Sequence, residues 1–136
     1  MSYAKPMLDT YPRSFNLDSD ALGGCIEACY DCAQACTACA DACLSEDNVA
    51  ELVKCIRLDA DCADVCQTTG QVLSRQTEYD ANVTRAVLQA CAEVCKACAE
   101  ECEGHAGMGM EHCRVCAEAC RRCERACSEL LAAIAS

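Results

Sequence analysis

Small apolar residues recur along this chain in alternating steps of four and three, and at almost every step the residue is cysteine. Cys25, Cys29, Cys32, Cys36, Cys39 and Cys43 follow one another at intervals of 4, 3, 4, 3 and 4, which is the a/d seam of a helical heptad. The alternation returns in Cys55, Cys62 and Cys66, in Cys91, Cys95, Cys98 and Cys102, and in Cys113, Cys116, Cys120, Cys123 and Cys127. Every cysteine therefore falls on the inward stripe of a predicted helix. The four segments also share one unit, Cys-Ala-acid or amide-Ala/Val-Cys, at 32–36, 62–66, 91–95 and 116–120. This is a fourfold internal helical repeat.

Both prolines, Pro6 and Pro12, precede the stripes, so nothing after them forces a break. Helix starts are offered by Ser45-Glu46-Asp47 and by Thr77-Glu78-Tyr79-Asp80, and residues 104–109 form a glycine-rich turn. The pattern predicts helices near 20–44, 47–75, 79–103 and 110–135, although Gly23, Gly24 and Gly70 lie inside these spans at a cost of about 1 kcal/mol each. Short connections make sequential helices antiparallel. The expected fold is all-α, an antiparallel up-down-up-down four-helix bundle with a cysteine-lined core over 18–136. Residues 1–17, with Tyr3, Met7, Leu8, Tyr11 and Phe15, form an N-terminal segment expected to pack on a bundle face or at a subunit interface.

Followed past the cysteines, each stripe has a polarity. Leu22, Leu73, Leu88 and Leu130 with Ile134 continue the four seams to what an antiparallel arrangement makes a single end, an apolar plug. The opposite end collects Cys43, Cys55, Cys102 and Cys113 around a turn carrying His105, Met108, Met110 and His112. That end is the expected mouth for metal.

Composition sharpens the question of what fills the core. Leu, Ile, Val and Phe number only 22 of 136 residues and the net charge is −11, a balance that ordinarily signals disorder. Either the chain does not fold or its 18 cysteines are the core. The acidic excess disfavours nucleic acid and anionic membrane surfaces as partners, and no stretch approaches the roughly 18 apolar residues of a spanning helix. Residues 1–17 lack the apolar run and cleavage site of an export signal, so a cytoplasmic location is expected. In a reducing compartment dense cysteine means metal or redox chemistry rather than a disulfide framework.

Thiols four residues apart on a helix share one face and can lean onto one small ion. Eight such pairs occur: 25/29, 32/36, 39/43, 62/66, 91/95, 98/102, 116/120 and 123/127. Zinc held by four thiolates keeps about two net negative charges per site, and burying several of these is costly. Cu(I) is soft, is satisfied by two or three thiolates, and exchanges for one proton per sulfur. Charge balance favours many Cu(I) ions, on the order of one per cysteine. The plain alternatives are cysteine as a small buried hydrophobe and a ladder of disulfides between helices. Register on four helices weighs against the first, and the reducing compartment against the second. The C-x3-C-x2-C strings at 25–32 and 91–98 match iron-sulfur radical enzymes only as a by-product of the heptad, so an enzyme is not expected.

The runs CIEACYDCAQACTACADAC, CADVCQTTG, ACAEVCKACAEEC and HCRVCAEACRRCERAC resemble the four-helix-bundle copper storage proteins, and the missing export signal resembles their cytosolic branch. The resemblance covers about residues 20–135. It implies a homotetramer whose bundles fill with Cu(I) on all eighteen cysteines, with His105, Met108, Met110 and His112 guiding ions in. Copper chaperones or copper enzymes would be its partners. Helix two departs from the pattern: Thr69 and Leu73 replace cysteines, and Asp59 stands where one is expected. A carboxylate there is expected to rotate to solvent, the alternative being a weak auxiliary ligand or hydrogen-bond partner. The leading function is cytosolic Cu(I) storage; the others are a general buffer for zinc or other soft ions and a thiol-disulfide redox protein, the last disfavoured because no cysteine sits at a strand-to-helix turn.

Overall fold

The computed structural model describes residues 2–134; residue 1 of the N-terminal segment and residues 135–136 of the last predicted helix and domain lie outside the described residues. The chain is all-helical with its cysteines in the core. Its helices are α1 (Ala4–Asp9), α2 (Ser19–Leu44), α3 (Val53–Leu73), α4 (Ala81–Ala106) and α5 (Glu111–Ile134), with a 3-10 turn, Val49–Leu52, leading into α3. Helix α2 packs against α3 and α5, α4 packs against the same two, and α1 lies on α2. Among the described residues no helix is long and apolar enough to cross a membrane.

The helix ends correct the sequence reading in three places. Ser45 closes α2 rather than opening the next helix, its N–H donating to the Ala42 carbonyl and the N–H of Glu46 to that of Cys43. The chain then makes the 3-10 turn before α3, which brings Leu52 to zero exposure. Asp80, not Thr77, caps α4 by accepting from the amides of Asn82 and Val83, and Asp18 caps α2 through the Ala21 amide. Gly104 stays helical and α4 runs on to Ala106. The glycine cost is offset there by continued backbone bonding and by the Glu101–His105 contact one turn apart. The turn begins only at Gly107 and reverses at Gly109, whose φ of 90° favours glycine.

Packing shows what stands in for the missing aliphatics. All eighteen cysteines are at most 2% exposed, while Leu22, Leu73, Leu88 and Leu130 are buried together with Leu8, Ile26 and Leu52. Gly70 belongs to this packing because a Cβ there would lie 2.9 Å from the ring of Tyr30, so only glycine lets α3 approach that ring. In the N-terminal segment Leu8 is buried beside Gly23 of α2. Lys5 bonds Asp9 and Ser19, and the Tyr11 hydroxyl meets that of Thr77 at 3.0 Å. Tyr3 and Met7 remain exposed.

Candidate metal centre

The a/d spacing sends each cysteine to the same side of its helix, and the long helices turn those sides toward one another. Sulfur contacts record the register. Cys25 meets Cys127 at 3.8 Å, Cys32 meets Cys120 at 3.7 Å, and Cys39 meets Cys113 at 3.9 Å, so α2 and α5 run in opposite directions. Cys66 to Cys91 at 3.7 Å and Cys55 to Cys102 at 3.8 Å give the same relation between α3 and α4. Sulfurs one turn apart also touch, at 3.9 Å for Cys32 and Cys36 and 3.8 Å for Cys62 and Cys66. The closest approach, however, is between helices, Cys66 to Cys95 at 3.4 Å. The spacing of one helix therefore describes only part of the site; each thiol also has neighbours from other helices.

All eighteen cysteines are free thiols. They form overlapping groups of four whose sulfurs lie within 4.8 Å of one another, among them Cys32, Cys62, Cys66 and Cys95; Cys32, Cys36, Cys62 and Cys120; and Cys36, Cys98, Cys116 and Cys120, and the group Cys29, Cys91, Cys123 and Cys127 joins them through Cys66, 3.7 Å from Cys91. Because the groups share members, they make one continuous column of sulfur rather than separate pockets. Closely packed soft donors of this kind suit a soft univalent ion that two or three thiolates satisfy.

Burial favours the protonated form at the edge of the column. It pushes the Cys113 thiol up to about 11, with the charge of Cys55 adding to the effect, and raises Cys43 in the same way. Hydrogen bonds between thiols move the two partners in opposite directions: those with Cys127 and Cys29 bring Cys25 down to about 5, while bonds to Cys123 and Cys25 raise Cys127. Cys55 is lowered to about 3 by bonds from Cys102 and Cys39, and the charge of the nearby His105 assists.

Asp59 is the principal correction to the sequence reading. It does not rotate to solvent: its exposure is 0%, and its Oδ1 accepts from the thiols of Cys98 at 3.1 Å, Cys116 at 3.4 Å and Cys102 at 3.6 Å. Its Oδ2 lies 3.9 Å from Cys55. Burial, then the charge of Cys116, raises its carboxyl to about 8. The signal was present in the spacing, since Asp59 follows Cys55 by four and precedes Cys62 by three. Periodicity outweighs the hydrophilicity of a single side chain when thiols stand ready to donate to it. Thr69, on the same stripe, is also fully buried, and its hydroxyl turns to the Val65 carbonyl at 2.7 Å.

At the turn end the predicted mouth residues separate into two kinds. His112 reaches the column: its Nδ1 lies 3.4 Å from Cys39 and 3.6 Å from Cys113, and with Cys39, Cys43 and Cys113 it forms a further four-membered donor group. His105 stands on α4 with its Nε2 2.9 Å from Glu101. Met110 is half-buried and packs against the core, whereas Met108 is 67% exposed in the turn. Of the glutamates on the two histidines, Glu46 carried no sequence signal, because its contact joins residues 66 apart, whereas Glu101 precedes His105 by four on one helix and that spacing could have shown the pair.

Comparison with known proteins agrees with this geometry. A family model described as copper storage protein matches residues 18–132. The copper storage protein Ccsp from Streptomyces lividans, in a structure loaded with 10 copper equivalents, is 68% identical with a TM-score of 0.93, covering 95% of this chain and 98% of that one. A cytosolic copper storage protein from Streptomyces lividans carrying five coppers is 73% identical with a TM-score of 0.81, over 83% of this chain and 93% of that one. The cysteine-rich protein YhjQ of Bacillus subtilis (strain 168), itself uncharacterized, is 41% identical over 71 residues, 52% of this chain. The match spans 62% of that relative's length.

Proposed function

Since the chain belongs to the copper storage protein family, by its match over residues 18–132, we propose that it stores Cu(I) in the sulfur column, with all eighteen cysteines as ligands and a capacity on the order of one ion per cysteine. The observation that carries this is the column itself: eighteen free, buried thiols with overlapping four-membered donor groups among them. Each Cu(I) that enters displaces a thiol proton, so filling leaves the charge of the core near where it began. The role is storage rather than catalysis.

The helices form an up-down-up-down bundle in this reading, supported by the opposed registers of α2 with α5 and α3 with α4. Ions pass at the turn end, where His105, Met108, Met110 and His112 stand, and the leucine end is closed. A cytoplasmic location fits a store of reduced thiols and the cytosolic relative. Assembly as a homotetramer would cover the groove lined by Tyr3, Met7, Tyr11, Ile26 and Tyr30, and copper chaperones or copper enzymes would exchange ions with the loaded protein.

An anaerobic titration of the reduced protein with Cu(I) against a competing Cu(I) chelator tests the central reading. Saturation near one ion per cysteine is expected. Saturation near one ion per four cysteines, or tighter binding of zinc, would overturn storage of Cu(I) in favour of a general soft-metal buffer.

A further inference from the structure

The two histidines of the turn end are held in the same way by unrelated parts of the chain. His105 sits in the last turn of α4, and its Nε2 lies 2.9 Å from Oε2 of Glu101, one turn earlier on the same helix. His112 sits at the start of α5, and its Nε2 lies 2.9 Å from Oε2 of Glu46, in the connection that follows α2. A carboxylate offers only acceptors, so the imidazole nitrogen facing it must carry the proton. In the neutral ring that leaves Nδ1 with the lone pair. For His112 this nitrogen is the one beside Cys39 and Cys113. For His105 it is buried without a hydrogen-bond partner among the described residues.

We propose that Glu46 and Glu101 are positioning residues of the turn end: each grips one imidazole at Nε2 and so presents Nδ1 as the nitrogen that takes Cu(I). The proposal rests on reading the two histidines as uptake groups. Its physical content is separate, because it concerns which ring nitrogen is free. A histidine ring without such a grip can rotate or exchange tautomers, and Nε2 then competes for the ion in an orientation that does not lead to the thiols. Carboxylate partners that fix the ring in this way raise metal affinity at other histidine sites by roughly 10–100-fold. The two grips also differ in reach. Glu101 acts within one helix and is itself approached by Lys54 at 4.0 Å, whereas Glu46 ties α5 to the end of α2. Loss of Glu46 should therefore disturb its histidine more.

The test uses the full-length reduced, metal-free protein and the variants Glu46→Ala, Glu101→Ala, Glu46→Gln and Glu101→Gln. Long-range nitrogen-proton correlation spectra of the histidine rings report the tautomer, and stopped-flow transfer of Cu(I) from a small-molecule Cu(I) chelate reports uptake. Both rings should be in the Nε2–H form in the parent. Each alanine variant should release only its own ring into a mixture of forms and slow uptake roughly tenfold, with capacity unchanged. The glutamine variants keep an acceptor oxygen and should restore both readings. An Nδ1–H form in the parent, or a tautomer that ignores loss of the glutamate, overturns the proposal. So does a shifted tautomer with unchanged uptake, provided His105→Ala and His112→Ala do slow it. If those histidine variants also load at the parent rate, it is the uptake role of the turn end that fails, and the spectra still decide whether the glutamates hold the rings.

Discussion

The leucine end and the turn end terminate the same four helical stripes with opposite chemistry. At one end Leu22, Leu73, Leu88 and Leu130 meet with exposures of 3% or less, and their packing needs no partner beyond other apolar surface. At the other, His112 lies against two thiols and a carboxylate, His105 against Glu101, and Asp59, a little deeper, accepts from three thiols. The first end is held by contact area, which is insensitive to protons and metals. The second is held by groups whose bonding changes when either arrives. A column with such ends has a structural side and a chemical side.

Substitutions can separate the two. The largest effect is expected from Leu88→Ala, which leaves a cavity in the leucine layer and should cost the metal-free protein about 2–5 kcal/mol in denaturant unfolding; its Cu(I) uptake rate at low temperature, where it stays folded, should match the parent. Equal slowing of uptake would mean the leucine end is not merely structural. Asp59→Asn should come next. Because the folded-state carboxyl is raised to about 8, the folded protein holds a proton that the unfolded chain gives up at the ordinary carboxyl value. The contribution of Asp59 is thus fully present below pH of about 4 and is lost as pH rises toward about 8. Relative to the parent, the asparagine variant should gain stability steadily over that window and then level off, measured by paired unfolding curves. A flat difference would show that Asp59 does not carry the proton. The smallest stability effect is expected from joint replacement of His105, Met108, Met110 and His112 by alanine. Unfolding should shift by less than about 1 kcal/mol, while uptake slows and capacity in the titration stays within the parent's error. An unchanged rate would remove the distinction between the ends.

What the sequence could reveal follows from the range of each interaction. Heptad spacing is local, so helix positions, the inward set of cysteines and the shared leucine end were readable from it. Helix ends were less so, because Ser45 and Asp80 are both competent caps and only the packed structure decides which helix each serves. Asp59 was misplaced by giving its charge more weight than its register. Glu46 was invisible, since its partner lies on another helix 66 positions away and acidic residues are common on this surface. Cross-helix sulfur contacts such as Cys66 with Cys95 are likewise a property of packing, not of spacing.

The leucine layer separates folding from filling. In small metal domains whose ligands come together only when the ion arrives, part of the binding free energy is consumed in ordering the chain. Here Leu22, Leu73, Leu88 and Leu130 hold one end of every stripe without help from an ion, and Leu52 secures the 3-10 turn near the other. The conformational entropy of the walls is therefore settled before the first ion enters. Each later ion meets a scaffold already built, and an emptied protein remains a vessel ready for refilling.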